Sequence, residues 1–483
     1  MYNLAEDPYA SIVELSKAFR DKKILPSQVM AAQLARIEAL EPKLGSFQAV
    51  YSETALNAAK AADDDFANDR SRGPFHGIPF ALKDLYELEG HITTCGSYEM
   101  LERVSQKTGT VTRRLLEGGG IVIGKTKSVE FGLGAWGTNL HMGTPWNPWD
   151  LENQRVPGGS SSGSGVAVAS GMAMCATGSD TGGSVRLPAA YCGLVGLKVS
   201  KKCIPTDGIM TLSKTLDTPG PITRSTADLA LMFSIMLGLD GPHIGTDISH
   251  GSGLFGVEME IFKGLKLGVL DDEERAFCTA DVLESFDSAL KILSALGADL
   301  KVFKSPIAYD EMADLNGAIT MYEGYHNHRA YYDDPNKIMD PNVKKRMFTG
   351  RALSAQSHAE RIEKRQGDQA VFQAAFSGFD ALLTPTILQP AIKLSDVDED
   401  KNPGHFTRPF NYIDMCALSL PTAYSAEGLP TSIQIVLPAG QEGFAVRMGS
   451  ALEAALGISV RPIRARPDRR FQRPSFQGCE IVR

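Results

Sequence analysis

Apolar positions along the first third of the chain repeat at helical spacing. Residues 8–45 hold two such runs, divided at Pro26-Ser27, where proline supplies a stop and serine an N-cap. Val29, Met30, Ile37 and Leu40 form the apolar stripe of the second run. A third helix is predicted over about 53–68. The short apolar run Ile78–Leu82 predicts a buried strand ending at Lys83-Asp84. Thr110–Glu117 reads as a helix, Gly118–Gly120 as its stop and Ile121–Ile123 as a strand. After Gly163 come a helix of small residues, a strand near 174–177, a turn, and a helix from about Ser184. Strands alternating with helices imply a mostly parallel sheet covered on both faces.

From 235 to 262 the chain is rich in glycine, which predicts a long surface loop. The alternation then resumes: strand 265–270, helix 281–296, strand 300–303. A helical stretch over 308–376 is interrupted around 332–342, and strands follow at 380–384 and 431–436. The expected organisation is an N-terminal helical segment (1–70) and one α/β domain (71–460) carrying a helical insertion over about 305–376. An arginine-rich tail (461–483) completes it. Its seven arginines stand against two acids, which reads first as a solvated or packed arm.

Composition narrows the function classes. Lys+Arg number 49 against Asp+Glu 57, a net charge of −8, which argues against a general nucleic-acid binder. The seven cysteines are scattered and form no C-x-x-C pair, so a reducing, cytoplasmic compartment is expected rather than a disulfide framework or zinc site. The first ten residues carry acids and no apolar core, unlike a signal peptide. One uncharged stretch, Gly158–Ser179, raises a membrane question. It is built of Gly, Ser and Ala, so a helix buried inside protein is the better reading.

Several motifs match in form and fail in context. Gly119–Thr126 fits G-x-x-x-x-G-K-[ST], but Ile121-Val122-Ile123 prefers a strand to a phosphate-cradling loop. Gly132–Gly137 fits G-x-G-x-x-G, but no helix follows to bind pyrophosphate, so a glycine-lined loop is expected. His326 and His328 lie two apart and face different sides of a helix, so no metal site is expected.

The residues that can carry chemistry cluster around the uncharged stretch. Consecutive amides in the turn Asp180-Thr181-Gly182-Gly183-Ser184 can converge on one oxygen beside a serine hydroxyl. A serine nucleophile needs a base, and no histidine stands near it in sequence. Lysine can serve where burial lowers its pKa, and Lys83 closes the apolar run HGIPFALKD.

Together these residues resemble the amidase signature family of serine hydrolases. The stretch from Gly158 to Lys198 is similar to the family's Gly/Ser segment almost throughout. The likeness extends to residues 131–150, 208–225, 379–386 and 408–422. It implies an α/β amidase-signature fold with a large mixed, mostly parallel central sheet. By resemblance, Ser184 is the nucleophile and Ser160 the relay serine, preceded by a cis peptide bond. Lys83 is the catalytic lysine, and the amides of Thr181, Gly182, Gly183 and Ser184 form the oxyanion hole. Asp180, Arg186 and Ser161 match supporting positions. Neither metal nor cofactor is implied. Two departures, GLKVSKK at 196–202 and GGSSSG at 158–163, leave the triad untouched, although the first weakens any inference about partners.

Three activities follow from the resemblance: hydrolysis of a small-molecule amide, a glutaminase subunit of a tRNA-dependent amidotransferase, or hydrolysis of carbamoyl nitrogen of the allophanate or biuret type. The first is preferred. It expects a small amide as partner, no direct contact with nucleic acid or membrane, and leaves a homodimer open. Trp136, Tyr191, Met210, Tyr322 and His326 are the candidates for lining the substrate pocket, with Met321 and Tyr325 beside them.

Overall fold

A computed structural model of the protein describes residues 6–239, 257–458 and 460–462. Eleven strands occur among them: β1 Phe47–Val50, β2 Pro79–Lys83, β3 Ile121–Thr126, β4 Cys175–Asp180, β5 Val195–Lys198, β6 Thr218–Thr223, β7 Lys266–Val269, β8 Asp299–Val302, β9 Ala381–Pro385, β10 Cys416–Tyr424 and β11 Pro430–Leu437. The helices are α1 Ile12–Arg20, α2 Pro26–Leu44, α3 Ser52–Ala67, α4 Thr110–Glu117, α5 Ser162–Ala169, α6 Arg186–Cys192, α7 Thr226–Leu237, α8 Asp272–Arg275, α9 Ala280–Ala295, α10 Tyr309–Tyr332, α11 Pro341–Arg351, α12 Ala355–Phe376, α13 Arg408–Tyr412 and α14 Glu442–Leu456.

All eleven strands join one sheet in the order β1-β3-β2-β4-β6-β5-β10-β11-β9-β7-β8. The sheet is large and mixed, as the resemblance implies. Parallel pairs lie towards its two ends, β3-β2-β4 and β9-β7-β8. The five pairings from β4 across to β9 are antiparallel, where the alternation of strands and helices predicts parallel ones. Two features hid them. β6 slots between β4 and β5 after a long connection. β10 carries Pro421, where the register shifts, and proline in a strand masks its signal.

Alternate residues of the strands enter separate cores. Phe80, Leu82, Val122, Leu418, Leu383 and Ile435 join the core under α1, α7, α9 and α14. Ala81, Ile121, Ile123 and Ala176 face α2, α3 and α5. Leu382, Ala417 and Val436 face α10, α12 and α13. Both sheet faces are therefore covered, and the period of two along each strand divides them.

Helix boundaries follow local chemistry. Ser11 caps α1 with Glu14 in a reciprocal box. α2 begins two residues earlier than the proline–serine reading gives. Leu25 is the N-cap, and Pro26 fits the first turn because it has no N–H to lose. The predicted loop over 235–262 is bounded by the end of α7 and a 3₁₀ turn at Met259–Phe262, and its middle, 240–256, lies outside the described residues. So does most of the arginine-rich tail, from 463 onward. The span Ile121–Thr126 is a buried strand, not a phosphate loop. No helix among the described residues is long and apolar enough to cross a membrane.

The small-residue helix α5 is buried along its whole length. A Cβ at Gly163 would fall onto the Ser46 carbonyl oxygen and the Lys127 amide. Gly163→Ala is therefore expected to lower stability by about 1–3 kcal/mol through overpacking. Gly367, in mid-α12 with open space around it, is the converse case, and Gly367→Ala should raise stability by roughly 0.5–1 kcal/mol. Denaturant midpoints of the two variants check both signs.

Candidate active site

Lys83 ends β2 and is fully buried. Its backbone N–H donates to Thr177 Oγ1 at 2.9 Å on the neighbouring β4. Its Nζ lies 2.8 Å from Ser160 Oγ and 2.8 Å from Ser179 Oγ. Both partners are neutral hydroxyls, so no counter-charge stands in contact with the amine. Burial pushes the Lys83 pKa down to about 7, against the opposing pull of the Asp180 and Asp217 carboxylates. Those two charges are engaged elsewhere. Asp217 accepts from Thr181 Oγ1 at 2.6 Å and from the Leu212 and Ser213 amides, both at 2.9 Å. Burial raises Asp217 to about 6.

Ser160 follows a cis peptide bond from Gly159. Its carbonyl accepts from the Val129 amide at 3.2 Å, and the Gly159 amide donates to Ala135 O at 2.7 Å. The GGSSS turn is thus pinned to the 129–137 loop on both sides. Ser161 Oγ donates to the Ser184 carbonyl and accepts from the Ser179 amide at 3.3 Å. It ties the Ser160 turn directly to the Ser184 turn.

The Ser184 turn is organised by one carboxylate. Asp180 ends β4 and is wholly buried. It accepts from the Gly183 amide at 2.7 Å, the Val185 amide at 3.2 Å, Arg186 Nε and Nη2 at 3.0 Å each, and Asn411 Nδ2 at 2.9 Å. Arg186 and these donors hold the Asp180 carboxyl well below the usual range despite burial. Gly183 has φ +128°, and a Cβ there would strike Thr407 Oγ1, so glycine is required. The four-amide oxyanion hole needs a correction: the Gly183 N–H points at Asp180. The Thr181, Gly182 and Ser184 amides donate to no group among the described residues.

Ser184 is 9% exposed and opens onto a cleft. The glycine-lined loop at 132–136 forms one wall, and Asn316, Gly317, Thr320 and Met321 of α10 form another. Of the pocket candidates, Trp136 and Met321 line this cleft. Met210 lines an adjoining cavity that also holds Ser179 and Asp217 and shares Thr181 and Leu212 with the cleft. The other candidates belong elsewhere. Tyr191 is fully buried in a satellite core beside Trp136, because α6 turns its ring away from the cleft. Tyr322 stacks on His358 at 4.1 Å, and His326 is exposed, so both lie on the outward side of α10. Tyr325 is buried with its hydroxyl on Asp333.

The Amidase family model matches residues 28–444. The chain belongs to the amidase family. It is 32% identical to a glutamyl-tRNA(Gln) amidotransferase subunit from Carboxydothermus hydrogenoformans, over 92% of this chain and 97% of that one. It is 33% identical to the 2-amino-5-chloromuconic acid deaminase of Comamonas testosteroni, over 86% and 90%. A crystal structure of an amidase superposes with TM-score 0.83 at 28% identity, covering 92% of this chain and all of the other. The chain is thus an enzyme-family member whose relatives act on carbon–nitrogen bonds.

Sequence reasoning about this amidase-family chain missed Ser179, Asp217, Asn316 and Arg408. Ser179 and Thr177 alternate on β4, so both aim at Lys83, a period-two signal present in the sequence. Asn316 and Arg408 meet only in three dimensions. The Asp180–Arg186 pair generates a stability prediction. Asp180→Asn leaves the Arg186 guanidinium buried without its counter-charge, and a loss of about 3–5 kcal/mol is expected in denaturant unfolding.

Proposed function

We propose that this amidase-family chain hydrolyses a small-molecule carboxamide to a carboxylate and ammonia or an amine, through a Ser184 acyl-enzyme. The observation that carries the reading is the buried Lys83 amine, 2.8 Å from Ser160 Oγ, with its pKa pushed to about 7. A lysine in that state is a base at neutral pH.

Neutral Lys83 accepts the Ser160 hydroxyl proton as Ser160 accepts that of Ser184. Ser184 Oγ then bonds to the amide carbon, and the carbonyl oxygen becomes an oxyanion. The amides of Thr181, Gly182 and Ser184 are the donors proposed to meet it. As the C–N bond breaks, the relay delivers the proton to the leaving nitrogen. Water adds to the acyl ester, loses its proton to the same relay, and Ser184 leaves with its hydroxyl restored. Asp180, Arg186 and Ser161 act by holding the two turns. Every proton moved starts and ends on groups of the chain, the substrate or water.

A second reading rests on the relative from Carboxydothermus hydrogenoformans, which is named as one subunit of an amidotransferase and matches end to end. On that reading the chain is a glutaminase that works only with partners. Ammonia release by the isolated chain separates the two. Turnover of simple amides supports the first, and activity confined to glutamine in the presence of partner chains supports the second. The six free cysteines among the described residues support a reducing, cytoplasmic setting.

The base must be uncharged to act. The kcat/KM should therefore rise about tenfold per pH unit below the Lys83 pKa and level off above it. With that pKa near 7, the bend is expected near neutral pH. Ser184→Ala should lower kcat by at least about 10³-fold. A rate that stays constant over roughly two pH units either side of neutrality would remove Lys83 from the base role.

A further inference from the structure

Arg408 opens α13, and its side chain lines the Ser184 cleft. Its stem packs beside Gly182, where a built Cβ would stand 3.1 Å from Arg408 Cγ. Its Nη2 lies against α10 in the space that a Cβ on Gly317 would occupy. Its one side-chain hydrogen bond among the described residues is long: Nε donates to Asn316 Oδ1 at 3.4 Å. Asn316 Nδ2 in turn donates to the Thr181 carbonyl at 3.1 Å, so the same asparagine touches the Ser184 turn and the arginine. The two terminal nitrogens of Arg408 meet no acceptor, and no carboxylate stands within ion-pair distance, among the described residues.

The other charged groups of the cleft are matched. Arg346 pairs with Glu399 at 2.8 Å and donates to the Leu133 carbonyl at 3.0 Å. Glu399 also accepts from Thr138 Oγ1. Lys401 sits on the rim, 81% exposed and 3.7 Å from Asp398. Among the described residues of the cleft, Arg408 alone combines a half-buried position, a planar fork with no protein acceptor and access to the opening. A half-buried guanidinium without a counter-charge in contact attracts an anion more strongly than one in open water, and its fork geometry fits a carboxylate in bidentate fashion. Burial pushes its pKa down to about 10, with the Asp314 charge opposing.

We propose that Arg408, held by Asn316 and seated in the space left by Gly317, binds a carboxylate of the substrate. The chain's substrates are then small carboxamides that carry an acid group away from the scissile bond. This rests on the Ser184 amidase reading for its chemistry, though the anion site itself does not.

The test compares ω-carboxy amides, malonamate through adipamate, with neutral amides of equal length, such as glutaramate with valeramide, by ammonia release. The wild-type chain should prefer the best acid by about 10- to 100-fold in kcat/KM, the worth of a charge-assisted hydrogen-bond pair. Arg408→Met should bring that ratio to within about threefold, mostly through KM for the acid, and Arg408→Lys should retain part of it. Gly317→Ala, which displaces the guanidinium without removing its charge, should also reduce the ratio if Arg408→Met proves unstable. Equal use of acids and neutral amides by the wild-type chain, or an unchanged ratio in Arg408→Met, overturns the proposal. Calorimetric binding of glutarate to Ser184→Ala separates the two readings. Binding that weakens at least about tenfold on adding Arg408→Met supports the anion site even if no amide is hydrolysed, and absence of binding overturns it.

Discussion

The site depends on the Asp180 carboxylate and on what it is made to hold. Five donors from three segments converge on it: two amides of its own turn, the Arg186 fork, and Asn411 of α13. Arg186 continues to Gln434 Oε1 on β11 at 2.7 Å, and Gln434 Nε2 reaches Thr384 Oγ1 on β9 at 3.0 Å and the Phe406 carbonyl at 2.8 Å. A buried ion pair is weak evidence for stability, because desolvating two charges offsets their attraction. Its effect here is specification. It fixes the direction of the Gly183 amide and the pitch of the turn that presents Ser184, and it locks that turn to the antiparallel half of the sheet.

The same pair shapes Lys83 indirectly. Asp180 raises the lysine's pKa by its charge, yet the value still falls to about 7. The Asp180 charge is met at contact distance by Arg186, and Lys83 itself touches only the Ser160 and Ser179 hydroxyls. Had either serine been a carboxylate, Coulomb attraction at that distance would hold the lysine protonated. The uncharged composition of 158–179 is thus an electrostatic requirement as well as a packing one.

That requirement explains what could be read from the chain alone. The run of Gly, Ser and Ala, the apolar approach to Lys83 and the glycine turn before Ser184 are local signals, and they led to groups that meet in space. Lys83 meets Ser179 across the sheet, since β2 and β4 are neighbours, and meets Ser160 from the turn before α5. Helices with clear periodicity, such as α4 and α12, were also legible. The antiparallel centre was not, because Pro421 interrupts β10 and β6 inserts between strands that precede it in sequence. The pocket candidates Tyr191, Tyr322 and His326 failed for another reason. Aromatic character marks a residue for burial or stacking, but the rotation of its helix decides which face it lines. Arg408 escaped notice because a single arginine carries no pattern. Its significance lies in the carboxylate it lacks, which only the surrounding structure reveals.

The two walls of the cleft therefore answer to different constraints. On the wall of β2, β4 and the GGSSS turn, the reactive groups are buried, uncharged in their contacts and tied together by hydrogen bonds that leave little freedom. On the wall of α10 and α13, the side chains are longer, partly open to the cleft and joined to the first wall through Asn411, Asn316 and Thr407, whose hydroxyl donates to the Gly182 carbonyl at 2.8 Å. On the proposed reading, changes on the second wall alter which amide is held while the proton relay stays as it is. Gly317 marks where the walls come nearest to conflict: a side chain there would strike the Arg408 guanidinium, and the stem of Arg408 packs on the turn that carries Ser184. On the proposed reading, selection of the substrate and support of the nucleophile meet at one arginine, and its removal would be felt first by whichever end of the substrate carries the charge.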